Sequence, residues 1–292
     1  MKNRICILLV ALLALGSFIG CADKNGKSSE YEGYNEASSN QGKVTEKIHI
    51  NNDIEKYFKG YNGQFKLYDL ENDTYIIYNK GELSRRTAPA STYKILNSLI
   101  ALETGVVEDE NTMKKWDGKE RFIIQWNKDH TLSSAISNSV VWYFQEVARD
   151  IGRDRMQKFI DKVGYGNKVI GEKIDMFWID GSLKISPDEQ LEFVTRLYNE
   201  ELPFDKEHIQ LVKKMLINEE TKDTIFAGKT GTFVRDDNER IGWYVGYALV
   251  KEKPYTFVTR IEKPKSGESG KIAGAKAREI TKEILKELDI LD

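Results

Sequence analysis

The sequence predicts an α/β (α+β) protein: one antiparallel sheet built from both chain ends and flanked by helices, with an all-helical lobe inserted between them. Three observations predict it. Residues 64–70 and 74–78 carry strand-like apolar patterns on either side of Glu71-Asn72-Asp73, which reads as a hairpin. Late in the chain, 241–250 and 255–261 read as two more strands, the second following Pro254. Between these pairs, 91–198 reads mainly as helices broken by glycines, and an amphipathic helix at 272–288 closes the chain.

A length of 292 residues allows one large catalytic unit or two small domains. Hydrophobic residues make up 40% and aromatics 11%, enough for a packed core. The formal net charge is -2, with acids and bases interspersed and no long basic run, so nucleic acid is not the natural partner. No internal repeat is present, and the sequence does not specify an oligomeric state.

Residues 1–20 read as a signal peptide of the lipoprotein type. Lys2 and Arg4 precede an apolar run at 5–15 that is too short to span a membrane convincingly. The run ends in Gly16-Ser17-Phe18-Ile19-Gly20-Cys21, which resembles a lipobox, with Phe18 where leucine is usual. The alternative is an ordinary signal peptide cut near Ala22; either way the mature protein lies outside the cytoplasm. On the lipobox reading Cys21 is lipidated and anchors the protein to the membrane. The other cysteine, Cys6, is removed with the signal, so no disulfide framework remains. Residues 21–47 are too polar to order and read as a flexible tether. The folded catalytic domain is expected at 48–292.

Histidine chemistry is poorly supported. The chain has only His49, His130 and His208, each expected at the surface, and no His-Glu-x-x-His pair, so neither a metal site nor a Ser-His-Asp triad is expected. A different nucleophile stands out in Pro89-Ala90-Ser91-Thr92-Tyr93-Lys94. Pro89 suits a helix approach, and Ile95, Leu96, Leu99, Ile100 and Leu102 continue an apolar helix. Ser91 then sits in the first turn, with Lys94 on the same face, where an amine can serve as its base without histidine. The positive helix end and apolar neighbours disfavour a protonated lysine. Taken alone, a serine three residues before a lysine is more simply a cap and a solvated charge.

A second block removes that simpler reading. Ala227-Gly228-Lys229-Thr230-Gly231-Thr232 lies just before the late strand pair, and its simpler alternative reading is a turn entering a strand. Ser-x-x-Lys followed far downstream by Lys-Thr-Gly is the signature of the penicillin-recognising serine enzymes. Lys229 and Thr230 offer donors to a carboxylate, and Gly231 permits close backbone approach. Further blocks appear in order: Ser139-Val140-Val141-Trp142, Tyr165-Gly166-Asn167, Phe177-Trp178-Ile179-Asp180-Gly181-Ser182-Leu183-Lys184-Ile185-Ser186 and Gly242-Trp243-Tyr244-Val245-Gly246. Over roughly residues 60–290 the chain resembles the class D (oxacillinase-type) serine β-lactamases. The absence of Ser-Asp-Asn at Ser139-Val140-Val141 argues against class A.

The resemblance implies a β-lactamase/transpeptidase-like fold and hydrolysis of β-lactam antibiotics, a small-molecule substrate. It implies Ser91 as nucleophile and Lys94, carbamylated by carbon dioxide to N6-carboxylysine, as general base, with no other cofactor. Ser139 then passes a proton to the leaving nitrogen, Val141 keeps the pocket apolar, and the Trp178 indole holds the carbamate. The backbone amides of Ser91 and Thr232 form the oxyanion hole. Lys229, Thr230, Gly231, Thr232 and Tyr165 are the implied substrate-binding residues. Many class D enzymes place an arginine near the start of the last helix; here that position is Ala277, flanked by Lys276 and Arg278. Lys276, Arg278, Arg260 and the Thr232 hydroxyl are the alternatives for the substrate carboxylate. Rival readings with the same motifs are a β-lactam sensor that stays acylated, a penicillin-binding transpeptidase or carboxypeptidase, and a non-catalytic binding lipoprotein.

Overall fold

The computed structural model describes residues 47–234, 240–263 and 273–292. The signal peptide, Cys21 and the tether lie outside the described residues, except Lys47, which opens a strand rather than ending the tether. No helix among the described residues is long and apolar enough to cross a membrane.

Among the described residues there are nine strands: β1 (Lys47–Ile50), β2 (Asn62–Asp69), β3 (Thr74–Tyr78), β4 (Met113–Lys114), β5 (His130–Thr131), β6 (Ile217–Glu220), β7 (Thr224–Val234), β8 (Arg240–Val250) and β9 (Lys253–Lys263). Seven of them form one sheet in the order β1-β3-β2-β9-β8-β7-β6, and β4 pairs with β5 separately. Only β1 runs parallel to its neighbour. The N-terminal hairpin thus joins the C-terminal strands through β2 and β9, as the sequence predicts.

The helices are α1 (Lys94–Glu103), α2 (Leu132–Ser137), α3 (Val141–Ile151), α4 (Arg153–Val163), α5 (Pro187–Tyr198), α6 (Lys206–Met215) and α7 (Ala273–Glu287). Each sheet face covers its own core. Trp243, Val245 and Tyr247 of β8 join the core beneath the helical lobe, while Tyr244 and Ala248 join the core under α7. Strand β8 is buried on both faces, so it reads as a near-continuous apolar run rather than an alternating one. Helix α1 is buried all round because it runs through the lobe interior, with Lys94 through Leu102 buried, the polar Lys94, Asn97 and Ser98 among them.

Three expectations change. The Lys229-Thr230-Gly231 block is not a turn before a strand; it sits within β7. Glycines that signal a turn by composition here mark close approach instead. A Cβ on Gly231 would lie 2.8 Å from the Pro89 carbonyl, and one on Gly228 would meet the Tyr244 ring. His130 is not a surface residue: it is 1% exposed, with one ring nitrogen against Ser134 Oγ at 2.9 Å and the other donating to the Gln125 carbonyl at 2.8 Å. Its short strand β5 folds it under the lobe, which composition alone does not reveal. Arg260 is not a free cation near the cleft. Its fully buried guanidinium donates to Gln64 Oε1 at 2.7 Å and to the backbone carbonyls of Arg85 and Glu82, and it stacks 5.5 Å from the Trp243 ring centroid.

Candidate active site

The turn that carries Ser91 is held from three directions. Residues Ala90–Tyr93 form a 3-10 turn that leads into α1. The Ala90 amide donates to the Trp178 carbonyl at 3.0 Å, and the Trp243 indole donates to the Ala88 carbonyl at 2.9 Å. From α5, the buried Gln190 amide donates to Thr92 Oγ1 at 2.7 Å, and that hydroxyl donates to the Pro89 carbonyl at 2.8 Å. Ala90 is held at φ +50°, a left-handed conformation that costs a non-glycine residue about 1 kcal/mol or more. Such strain persists only where the surroundings over-determine it, and the result is a half-buried Ser91 at the cleft.

Ser139 reaches the same point through a helix end. At the C-terminus of α2 the Val140 amide donates to the Ala135 carbonyl at 2.8 Å and the Ser139 amide to the Ile136 carbonyl at 3.3 Å. These are the two bonds of a Schellman motif, whose left-handed position is usually glycine. Here Ser139 occupies it at φ +54°. The turn aims its hydroxyl and carbonyl together at Lys94. Val141 opens α3 two residues on, half-buried.

Lys94 Nζ lies 2.8 Å from Ser91 Oγ, 2.7 Å from the Ser139 carbonyl and 3.1 Å from Ser139 Oγ. Its side chain is fully buried, and the Phe144 ring centroid is 5.6 Å from the amine. Burial and then the charge of Lys229 push its pKa well below the ordinary lysine value. A neutral amine keeps one lone pair. With one N–H given to the Ser139 carbonyl, that lone pair can accept the Ser91 proton.

Lys229 approaches from β7. It is 4% exposed, donates to Ser139 Oγ at 3.0 Å and to the Thr230 carbonyl at 3.2 Å, and burial lowers its pKa to about 7. Strand β6 pairs with β7 only as far as Ala227, so the edge from Lys229 onward has no strand partner among the described residues. The Gly228 amide points to the β6 side, donating to the Leu216 carbonyl at 2.9 Å. By the two-residue alternation of a strand, the Thr230 and Thr232 amides lie on that same open edge. The Thr230 and Thr232 side chains face α7, and Thr232 Oγ1 accepts from the Gly274 amide at 3.0 Å. Strand β7 therefore offers the cleft the Lys229 amine, the flat backbone of Gly231 and outward amides.

The remaining expected residues separate. Trp178 is fully buried, stacks on Tyr93 at 5.6 Å, and its indole nitrogen has no hydrogen-bond partner. Tyr165 does not face the cleft: it is 2% exposed, packs edge-on to Tyr93 and Phe193, and backs the turn through Gln190. The tyrosine of the Tyr-Gly-Asn block is a support, because Gly166 at φ +55° turns the chain down onto the Lys184 carbonyl. Arg278 lines a cavity of about 220 Å³ together with Ser137, Asn218, Lys229 and Thr230, whereas Lys276 pairs with Glu279 at 2.6 Å and is not part of that lining. Gln190 and Asn218 are site supports that the sequence reading missed; single amides in amphipathic segments carry no signal. Among the described residues no cluster of His, Cys, Asp or Glu is placed to hold a metal ion.

This geometry can be set beside known proteins. The family model for the penicillin binding protein transpeptidase domain matches residues 23–286. The probable β-lactamase YbxI of Bacillus subtilis is 41% identical over 238 residues, covering 82% of this chain and 85% of that protein. The chain belongs to the class D β-lactamases. The solved structure of the class D β-lactamase BAT-2 is 42% identical with a TM-score of 0.76, covering 82% of this chain and 96% of that one. The C-terminal domain of the Bacillus licheniformis BlaR penicillin-receptor is 33% identical with a TM-score of 0.80, covering 86% and 100%. The class D family is one of serine hydrolases, and this chain is an enzyme of that type.

The buried amines carry a stability cost with a defined pH dependence. An unfolded lysine binds a proton up to its ordinary pKa near 10.5, whereas folded Lys94 releases it at much lower pH. In that window the unfolded state binds more protons, so wild-type stability rises with pH. Replacing Lys94 by Met should therefore stabilise the protein at neutral pH by roughly 1–2 kcal/mol, or about 2–4 °C in Tm per kcal/mol. The gain should shrink towards pH 10. Thermal melts of both proteins in carbon-dioxide-free buffer check it; a Met variant less stable at pH 7 would contradict it.

Proposed function

We propose that this protein hydrolyses β-lactam antibiotics through a Ser91 acyl-enzyme, with carbamylated Lys94 as general base. One observation carries the reading: a fully buried lysine amine that touches the nucleophile and has no carboxylate among its hydrogen-bond partners. Only a neutral amine takes up carbon dioxide, and burial together with the Lys229 charge shifts Lys94 towards that form. The partnerless, buried Trp178 indole N–H fits the group, since an unused donor in a dry core costs about 1–3 kcal/mol unless something accepts from it. Bound on Lys94, carbon dioxide supplies an anionic oxygen base in place of the amine.

The chain's own groups supply the rest. Ser91 Oγ loses its proton towards Lys94 and attacks the lactam carbonyl carbon. The resulting oxyanion is met by the Ser91 amide and the outward Thr232 amide. Ser139 Oγ, placed between the two lysines, passes a proton to the departing lactam nitrogen. Val141 and Phe144 keep the pocket apolar. A water activated on the Lys94 side then releases the acid and restores Ser91. We assign the substrate carboxylate to Lys229, Thr230 and Arg278. Arg278 and Lys282 share Glu219, leaving that cluster an excess positive charge beside the cavity. Export through the signal at 1–20 and anchoring at Cys21 complete the reading.

A second reading rests on the likeness to the BlaR receptor domain: a sensor that acylates but does not turn over. Kinetics separate the two. Wild type should hydrolyse a chromogenic cephalosporin, lose activity in mildly acidic or carbon-dioxide-depleted buffer, and regain it with bicarbonate. Loss of a positioned base should cost about 10²–10⁴-fold in rate. Ser91→Ala should fold but abolish turnover, and intact mass spectrometry should place one whole penicillin on Ser91 of the wild type. A single burst with no turnover in bicarbonate would favour the sensor; adduct on another serine would sink the nucleophile.

The carboxylate assignment has its own check. Arg278→Ala should raise KM for penicillins about 5–50-fold while changing kcat less, and Lys276→Ala should be near neutral. The reverse pattern would reassign the cation. For the anchor, Cys21→Ala should leave the protein unprocessed or free of the membrane fraction, and unchanged membrane association after correct cleavage would count against lipidation.

A further inference from the structure

The two lysines of the site meet on one hydroxyl. Lys94 Nζ lies 3.1 Å and Lys229 Nζ 3.0 Å from Ser139 Oγ, so the amines are no more than about 6 Å apart. Both are buried, and among the described residues neither is bonded to a carboxylate. Among the described residues the surrounding elements add no compensating anion. The nucleophile turn presents Ser91, α2 presents Ser137, β6 presents Asn218, and the cross-strand neighbour on β8 is Val245. On α7, Arg278 faces the same cavity, and the Glu219 carboxylate of β6 is held by Arg278 and Lys282. Two protonated amines in this position repel each other in a poorly solvated pocket.

We propose that Lys229 accepts the proton released when Lys94 takes up carbon dioxide, with the Ser139 hydroxyl as the relay. The inference rests on the carbamate reading given under Proposed function. The Lys94 nitrogen lone pair forms the new N–C bond, and one C=O electron pair of carbon dioxide moves onto oxygen. The nitrogen loses one proton; Ser139 receives a proton from the Lys94 side and gives its own to the Lys229 lone pair. Two neutral amines and carbon dioxide become one carbamate anion and one ammonium, with atoms and charge conserved.

The exchange turns a repelling pair into an attracting one. It also links two ligands of the site. Carbon dioxide on Lys94 fixes the cation that holds the substrate carboxylate, and a permanent cation at 229 strengthens carbon dioxide uptake. The depressed pKa of Lys229, about 7, is consistent with an amine able to accept that proton near neutral pH.

The test uses the full chain with lysines labelled at 13Cε, brought to equilibrium with 13C-bicarbonate at several pH values. In wild type the carbamate signal should appear, and loading should raise the Lys229 titration midpoint by roughly one to two pH units, the shift expected for unit charges about 6 Å apart. At pH 8, Lys229→Met should need roughly two- to tenfold more bicarbonate for half-loading, the factor that a midpoint moving from about 7 to between 8 and 9 implies. Lys229→Arg should need no more bicarbonate than wild type but load more slowly, because a guanidinium supplies the charge without accepting a proton. A carbamate signal with an unmoved Lys229 midpoint would overturn the inference and leave the carbamate reading intact. Absence of any carbamate signal in wild type would overturn both. The wild-type midpoint decides the matter even if a position-229 variant fails to fold.

Discussion

Two lysine amines share a buried pocket without a carboxylate partner, and the surrounding architecture is arranged to permit it. A lone buried ammonium is expensive enough that the group gives up its proton instead. The structure uses that consequence. Lys94 is placed among Phe144, Tyr93 and the apolar residues of α1, where desolvation dominates, and its polar contacts are limited to Ser91 and Ser139. A carboxylate beside it would favour the protonated amine and remove its basicity.

Holding such a pocket in place requires local sacrifices elsewhere in the chain. Ala90 and Ser139 both take left-handed backbone conformations, one before the nucleophile and one at the end of α2. Trp178 leaves a buried indole N–H without a partner. Each lies at the site, and each is tied to the core by contacts that cannot relax independently. The Trp178 carbonyl that fixes Ala90 belongs to the residue whose indole lacks an acceptor, so one residue both shapes the turn and borders the pocket. Stability is spread over the two cores on either side of the sheet.

Burial and pairing separate the two arginines that the sequence offered as carboxylate candidates. Arg260 is a structural cation, fully enclosed between the hairpin and β9. Arg278 stands on α7, one residue beyond the buried Ala277, and reaches the cavity beside β7. A one-residue step along a helix moves a side chain by about 100°, which distinguishes the core-facing Ala277 from the cavity-facing Arg278. Sequence spacing alone left four carboxylate candidates; burial and pairing distinguish them.

Much of this protein was legible in the chain itself. Alternation at 64–70 and 74–78, and the late apolar runs, announced a sheet drawn from both ends, because strand periodicity is a local property. Three residues on a helical turn put Ser91 and Lys94 on a common face, and the downstream Lys229-Thr230-Gly231 block with the class D resemblance made the pair legible as a site. Tertiary structure decided what depends on distant partners. It placed Lys229 within a strand because the glycines around it serve close packing rather than turning, and packing partners lie far away in sequence. It buried His130, which the sequence reading expected at the surface, and Tyr165, which the resemblance implied for substrate binding. It brought Ser139, 45 residues from Lys94, to the same amine through a helix-terminating turn. Periodicity can specify which face a residue occupies; only the assembled sheet and lobe can specify what that face meets.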